Sequence, residues 1–203
     1  MVDKICTYLT NKIRKEIPEI DDERAEIIMY GLQNIIGEIP KIFIIFIISY
    51  FLGILELTLM AVLIIAPYRV FSGGVHMKTH MGCILYTLML YSGSVLIGKY
   101  IVLTGITKYI VAFVVWMFCM IMIKLYAPAD TENVPILRKQ ERRQKQIFSY
   151  VILTIEFIIA ILINNTTIAG IIILGDLIQT LTITRFAYKI TNNKYGYEIY
   201  ANI

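Results

Sequence analysis

Residues 69–83, RVFSGGVHMKTHMGC, carry the side chains best suited to chemistry in a chain that is otherwise mostly apolar. This stretch holds both histidines of the sequence, His76 and His80, and one of its three cysteines, Cys83. A neutral imidazole within hydrogen-bond reach of a thiol can remove the thiol proton and so produce an activated nucleophile. Cys83 and His76 are therefore the candidate nucleophile and base of a cysteine-dependent reaction.

The spacing between His76 and Cys83 predicts a folded loop rather than a helix. In a continuous helix these residues would lie about 10 Å apart along the axis, which is too far for a hydrogen bond. Gly73 and Gly74 permit positive φ angles and close backbone approach, so the chain can fold back here. Cys83 begins a long apolar run and is expected near the N-terminus of a membrane helix, where backbone N–H groups and the helix dipole favour a thiolate.

Two alternative interpretations use the second histidine. His80 is an alternative base for Cys83. A helical H-x-x-x-H-x-x-C pattern would instead place His76, His80 and Cys83 on one face, which suits the zinc site of a membrane protease. However, no glutamate stands between the histidines to act as a base, and the glycines disfavour a helix. We therefore predict a site with no metal and no cofactor.

The composition indicates an integral membrane protein. Hydrophobic residues make up 58% of the 203 positions, and the mean hydropathy is +0.70, whereas soluble domains are roughly 45–50% apolar. The charged N-terminal segment lacks the apolar region of a signal peptide, so we expect it to remain in the cytosol. The three cysteines lie in dissimilar contexts, which argues against a disulfide framework. The predicted partner surface is a lipid bilayer, with no nucleic acid.

The apolar pattern predicts an all-α, polytopic membrane bundle. Six apolar segments lie at about 42–54, 57–71, 83–103, 109–126, 147–163 and 167–187. Before them, residues 25–39 place apolar side chains at helical spacing opposite a polar face, which predicts an amphipathic helix on the inner membrane interface. Pro40 is expected to kink or end that helix. The predicted organisation is an interfacial region, 1–40, and a membrane-embedded domain, 41–203.

The first two apolar segments allow two topologies. Residues 42–67 form either one tilted span or a hairpin that turns at 52–56, with arms shorter than the roughly 20 residues of a usual span. The hairpin puts all but three of the 19 Lys and Arg residues on the cytosolic side, as the positive-inside rule favours. Of the other three, Lys99 and Lys108 fall outside, and Lys124 lies at an inner helix end. We therefore prefer the hairpin, short or re-entrant, with both termini and residues 69–83 cytosolic.

The spacing of the reactive residues resembles the accessory gene regulator B (AgrB) family. These are Gram-positive membrane cysteine endopeptidases of peptide quorum sensing. Arg69, Gly74, His76 and Cys83 match the spacing of the family motif. Residues 126–135, YAPADTENVP, are similar to its second signature, which follows an apolar segment and ends in a proline. The resemblance extends over nearly the whole chain.

The resemblance implies a specific activity and partner. Family members cleave a small AgrD-like propeptide on its C-terminal side and join the new carboxyl end to an internal Cys or Ser, forming a thiolactone or lactone. Carried over, Cys83 is the nucleophile and His76 its base. Gly73 and Gly74 support the loop. Arg69 is expected to bind a peptide carboxylate or the acidic tail of the propeptide, or to serve as a positive anchor.

Polar residues elsewhere in the chain support secondary hypotheses. Asp130 is a candidate third member of the site that orients His76, although a cap or turn role is favoured. Glu156 and Asp176 fall within apolar segments, where ionisable groups are costly and often functional. A structural role is favoured for both, but they also support the alternative function, a membrane transporter or exporter of a peptide or small solute. Ser94 and Gly98 form a small-xxx-small pair that permits close helix contact, and with it a homodimer.

Overall fold

The computed structural model describes residues 2–17, 19–77, 79–132 and 134–200, and these form helices and loops with no β-strand. The elements in chain order are α1 (Val2–Glu16), α2 (Asp22–Phe51), α3 (Leu55–Ser72), α4 (His80–Leu88), a π-helical turn (Met89–Gly93), α5 (Ser94–Tyr100), α6 (Gly105–Tyr126), α7 (Lys139–Leu162), α8 (Thr166–Leu181), α9 (Arg185–Ile190) and α10 (Gly196–Tyr200). The predicted all-α fold class is confirmed for these residues.

Four of the described helices are long and apolar enough to cross a membrane. They are α3, the continuous helix Met81–Tyr100 that contains the π-helical turn, α6 and α7. An 18-residue helix such as α3 is about 27 Å long, close to the hydrocarbon thickness of a bilayer. The remaining predicted segments correspond to shorter apolar helices, Ile39–Phe51 within α2 and α8. These helices are consistent with the predicted helical membrane protein, and a topology of six spans stays a prediction.

The chain divides into two compact units, Met1–Ile48 and Ser49–Ile203. In the first unit, the Asp21 carboxylate accepts a hydrogen bond of 2.8 Å from the Arg24 N–H, which caps the N-terminus of α2. The predicted boundary between 1–40 and 41–203 stays a prediction, as does the interfacial position of the first region. Several side chains of the predicted polar face lie outside the described residues.

Helix α2 continues through Pro40, so this proline does not end the amphipathic helix, and the alternative expectation of a kink stays a prediction. A proline inside a helix removes one backbone donor and crowds the preceding turn. Apolar surroundings tolerate this because neighbouring groups and small local adjustments satisfy the freed carbonyl. The helix instead ends at Phe51, and Gly53 follows in the left-handed region with φ +65°. The helix therefore breaks within the predicted residues 52–56, and the choice between a hairpin and a single tilted span stays a prediction.

Helix α8 is the central element of the second unit, where it contacts α3, α5, α6 and α7. Its apolar side chains Ile171, Ile172 and Ile173 are fully buried, and so are the polar side chains of Asp176 and Gln179. A helix enclosed in this way buries every face. The polar groups of α8 must then find partners inside the protein, because a buried polar group without one costs free energy.

Ser94 and Gly98 pack inside the chain rather than on its surface. A Cβ atom at Gly98 would lie 2.7 Å from the backbone nitrogen of Ile171, and one at Gly170 would lie 3.2 Å from the Gly98 carbonyl oxygen. The absence of side chains lets α5 and α8 approach closely. The small-xxx-small contact is therefore intramolecular, so these residues are not available to a second copy. A homodimer stays a prediction without them.

Candidate active site

The segment between α3 and α4, described at residues 73–77 and 79, is the folded loop that the glycine pair predicts. Gly73 has φ +73° and Gly74 has φ +142°, both in the region that favours glycine. The Gly74 N–H donates to the Ala129 carbonyl at 2.9 Å, and the Val75 N–H donates to the Thr182 carbonyl at 3.2 Å. The loop is thus bonded on one side to the second signature and on the other to the residues that follow α8.

Gly73 must be a glycine for two reasons, and one substitution pair separates them. A Cβ atom at Gly73 would lie 2.9 Å from the carbonyl carbon of Ala129, whereas one at Gly53 would meet nothing within 4 Å. Both residues have positive φ. We expect Gly53→Ala to lower the free energy of unfolding by about 1–2 kcal/mol, the cost of a left-handed alanine. Gly73→Ala should cost about 1–3 kcal/mol more because the loop must move from Ala129.

Denaturant unfolding in detergent, followed by circular dichroism, measures this difference between the two glycine variants. Equal losses for both variants would contradict the assignment, because only backbone strain would then separate glycine from alanine at residue 73.

Arg69, at the end of α3, joins the loop to α4 and α8. Its Nη1 donates to the Tyr86 hydroxyl and to Gln179 Oε1, both at 2.9 Å, and its Nη2 donates to the Val75 carbonyl at 3.1 Å. The guanidinium also lies over the Tyr86 ring, 5.0 Å from the centroid. These contacts give Arg69 a positioning role within the protein. Its predicted role in binding a peptide carboxylate stays a prediction.

Gln179 on α8 is fully buried and completes this anchor. Its Nε2 donates to Ser72 Oγ at 3.2 Å and to the Gly73 carbonyl at 2.8 Å, while its Oε1 accepts from Arg69. Both amide donors and the amide oxygen of the side chain are therefore used. The motifs of the sequence did not identify Gln179 as a residue of the site. Its presence in an apolar segment, where an unpaired amide is costly, was the signal for a larger role.

Cys83 is the fourth residue of α4, which confirms its predicted position at the start of a membrane helix. Thr79 caps this helix, since its hydroxyl accepts from the Gly82 N–H at 3.1 Å and its carbonyl accepts from the Cys83 N–H at 2.9 Å. The Cys83 side chain is not part of a disulfide and is partly exposed. Tyr86, which contacts Arg69, lies one turn further along the same helix.

His76 is exposed in the loop, directly after the anchored residue Val75. Its backbone carbonyl accepts a hydrogen bond of 2.8 Å from Nδ2 of Asn193, which in turn donates to Thr191 Oγ1 at 2.8 Å. Arg69 therefore holds both the residue before His76 and the helix that carries Cys83. Among the described residues, no three His, Cys, Asp or Glu side chains could hold a metal ion, and the side chain of His80 lies outside them.

Asp130 organises the second signature. The residue is 5% exposed, and its Oδ2 accepts from the N–H groups of Ile136 and Tyr197, each at 2.9 Å. Arg142 forms an ion pair with the same oxygen at 3.2 Å, and the Tyr188 hydroxyl donates to the Asp130 carbonyl at 3.0 Å. Asp130 thus has the favoured turn role, while orientation of His76 by this residue stays a prediction.

The C-terminal segment packs against this signature through a pair of tyrosines. The rings of Tyr188 and Tyr195 stack with centroids 4.0 Å apart, and the Tyr195 hydroxyl donates to the Ile183 carbonyl at 2.8 Å. Burial raises the pKa of Tyr188 above its ordinary value, and the electrostatic interaction with Tyr195 raises this pKa further. Burial likewise raises the pKa of Tyr195, although Arg185 partly opposes it.

These raised pKa values predict how the Tyr188 contact depends on pH. The neutral phenol is favoured in the folded state, so the stabilisation is complete below pH about 10, the ordinary tyrosine pKa, and is lost as pH rises through the folded value. Tyr188 should stay protonated near pH 10 in the folded protein. We therefore expect the folded Tyr188→Phe variant to show the same tyrosinate absorbance near pH 10 as the wild type. At pH 7 the variant should lose about 1 kcal/mol of stability with the hydrogen bond to Asp130. A lower tyrosinate signal near pH 10 would contradict the assignment.

The fold defines a class, the helical proteins with apolar helices long enough to span a membrane. Cys83 lies at the start of one such helix, and His76 lies in the loop before it. Residues 6–183 match the family Accessory gene regulator B, and the chain belongs to that family. The resemblance inferred from the sequence is therefore confirmed. Membership connects the chain to the Agr quorum-sensing system, to an AgrD-like partner and to the membrane.

Curated relatives agree with this family. Two of them, from Listeria monocytogenes serotype 4a (strain HCC23) and Clostridium perfringens (strain SM101 / Type A), carry the name "Putative AgrB-like protein". The Listeria protein is 27% identical over 185 residues, 89% of this chain and 87% of its own length. The Clostridium protein is 28% identical over 168 residues, 80% and 77% of the two lengths. No solved structure is significantly similar to the chain.

Proposed function

We propose that the protein is a membrane cysteine endopeptidase that cleaves an AgrD-like propeptide and cyclises the product to an autoinducing peptide. The main support is the position of Cys83, a partly exposed thiol in the first turn of a membrane helix. His76 lies in the loop that leads into this helix, and the loop is fixed by hydrogen bonds at Gly74 and Val75. A fixed loop holds nucleophile and base in a constant relation, which lowers the entropic cost of the reaction.

The proposed reaction begins with cleavage of the propeptide. His76 accepts the thiol proton of Cys83, and the sulfur attacks the scissile carbonyl carbon. The C–N bond then breaks, and the imidazolium returns the proton to the leaving amine of the C-terminal fragment. The N-terminal part of the peptide remains bound to Cys83 as a thioester.

Cyclisation follows from the thioester. An internal thiol or hydroxyl of the bound peptide attacks the thioester carbonyl, the C–S bond breaks, and the Cys83 sulfur leaves with the proton of the attacking group. The product is a thiolactone or a lactone. Water must be kept from the thioester for this step to succeed over hydrolysis. A site at the membrane surface suits such exclusion, and it also suits a propeptide that lies there as an amphipathic helix.

We further propose that the site faces the cytosol, with both termini on the same side and the first apolar pair as a short hairpin. The distribution of Lys and Arg supports this orientation. Arg69, Gly73 and Gly74 support the loop, and Asp130 supports the adjoining signature. An exporter of a peptide or small solute is the alternative function, supported by the buried carboxyl groups of Glu156 and Asp176.

Mass spectrometry of the intact enzyme with a synthetic propeptide tests the proposed chemistry. The full-length protein, purified in detergent, is mixed with a propeptide whose internal Cys or Ser is replaced by alanine, so that the thioester cannot cyclise. We expect the peptide containing Cys83 to gain the mass of the N-terminal fragment, and neutral hydroxylamine to remove it. Cleavage without this adduct, or an adduct on Cys6 or Cys119, would disprove the assignment.

A further inference from the structure

Two carboxyl groups meet inside the second unit, between α7 and α8. Glu156 is 7% exposed and Asp176 is 0% exposed. Their side chains lie close enough to interact directly. Three of the four carboxyl oxygens, Oε2 of Glu156 and both of Asp176, are buried and receive no hydrogen bond from the described residues. An ordinary structural pair of buried carboxylates would instead have donors on these oxygens.

The polar groups around this pair come from α3, α6 and α8. The Tyr68 hydroxyl on α3 and the Thr180 hydroxyl on α8 share a hydrogen bond of 2.8 Å. The Cys119 thiol on α6 contacts the same threonine. Tyr68 and Cys119 are the titratable groups that lie near the pair on adjoining helices. Both are uncharged when protonated, so neither compensates a negative charge on Glu156 or Asp176.

Two ionised carboxylates in this position are unfavourable on two counts. Each would lose its hydration without an opposite charge to replace it. Each would also repel the other, because like charges in contact oppose the ionisation of both. A single proton between the two groups removes one of the charges and supplies the hydrogen bond that the buried oxygens lack. Such a proton belongs to the pair rather than to either residue.

We propose that Glu156 and Asp176 form a proton-binding site within the membrane bundle, in which one shared proton bridges α7 and α8. This inference goes beyond the proposed peptidase activity and does not depend on it. The ligand is a proton from solvent, which forms an O–H bond with one carboxyl group and a hydrogen bond with the other. No further reactant takes part.

The position of this site gives the proton a structural consequence. Tyr68 and Arg69 are consecutive on α3, and Gln179 and Thr180 are consecutive on α8. The bond between Tyr68 and Thr180 therefore adjoins the bond between Arg69 and Gln179, which anchors the loop. Asp176 lies one helical turn before Thr180. Loss of the proton places a second negative charge on the pair, about one helical turn from these two α3–α8 bonds. The proton site and the loop anchor are therefore neighbours along α8.

Infrared spectroscopy tests the proposal on the full-length protein in phosphatidylcholine vesicles with choline chloride as the salt. We expect a carbonyl-stretch band of a protonated carboxyl group at neutral pH, which shifts on exchange into deuterium oxide and disappears as pH is raised. The double variant Glu156→Gln/Asp176→Asn should lose this band, since paired amides keep the shape and the mutual hydrogen bond without the acid. Glu56→Gln is the control, because Glu56 is an exposed carboxyl group in the first turn of α3.

Three results would overturn the proposal. The wild-type protein could lack the band at neutral pH, or the double variant could retain it. Thirdly, replacing choline by sodium at constant pH could abolish the band, which would identify a cation site instead. The wild-type titration decides the matter even if the double variant does not fold. None of these measurements involves a propeptide, so their outcome is separate from the test of the peptidase.

Discussion

Cys83→Ala is expected to abolish propeptide cleavage, with a fall in rate of about 10³-fold or more. The proposed reaction passes through a thioester on this sulfur, and alanine offers no nucleophile to replace it. Removing the nucleophile of a catalytic unit costs about as much as removing the whole unit, so little residual cleavage should remain. His76→Gln should lower the rate by about 10²–10⁴-fold, the usual contribution of a general base. Cleavage of a synthetic propeptide by purified protein, followed by mass spectrometry, measures both variants.

Cys6→Ala is the matched control for the nucleophile, since Cys6 is also outside any disulfide but lies in α1 of the first unit. It should retain wild-type cleavage. If Cys83→Ala still cleaved the propeptide, the peptidase proposal would fail. Export of a labelled peptide from vesicles that persists in Cys83→Ala, with no cleavage in the wild type, would favour the exporter instead.

Gln179→Leu is expected to have the second largest effect, through the position of the loop rather than through the reacting atoms. Leucine has a similar size but offers no hydrogen bonds to Ser72, Gly73 or Arg69. The variant leaves the Arg69 guanidinium without one acceptor and should lower the free energy of unfolding by about 2–4 kcal/mol. Cleavage should fall by about 10²-fold, as expected when a catalytic loop shifts by about 1 Å. Unfolding in denaturant and the cleavage assay give the two measurements.

Two further variants separate position from stability at Gln179. Gln179→Glu keeps an oxygen for Arg69 and loses both donors, so its loss of stability should be smaller while the bonds to Ser72 and Gly73 are still absent. Leu181→Ala removes an exposed side chain at the end of the same helix and should leave cleavage unchanged. If Gln179→Leu lost stability but kept full cleavage per folded molecule, the residue would be structural only.

Local sequence patterns were sufficient to predict the folded loop, the helix that starts just before Cys83 and the turn near Gly53. Each of these depends on neighbouring residues. A glycine pair predicts the loop, the start of an apolar run predicts the helix, and a break in an apolar run predicts the turn. The sequence could not decide whether Pro40 ends or only kinks the helix, because the effect of a proline depends on the surroundings of the helix, which a local rule does not contain. Ser94 and Gly98 were recognised as a close-contact pair, but the sequence did not identify α8 as the partner.

The supports of the site could not be predicted because they come from distant parts of the chain. Gln179 lies 110 residues from Arg69, and Asn193 lies 117 residues from His76. Lys108 similarly donates to the carbonyls of Ile161 and Ile163 at the C-terminus of α7, at 2.8 and 3.0 Å, although the charge pattern had assigned it only to an outer loop. No spacing rule relates such residues, since the fold alone brings them together.

The anchoring of the loop by Gln179 and Asn193 also sets an order of events during biosynthesis. The ribosome makes residues 69–83 more than a hundred residues before it reaches Asn193. At about 5–20 residues per second, this interval is roughly 5–25 s. Cys83 can enter the bilayer during this time, while the loop before it still lacks its partners from α8 and beyond. The nascent chain therefore carries its thiol for many seconds before the site around it is complete.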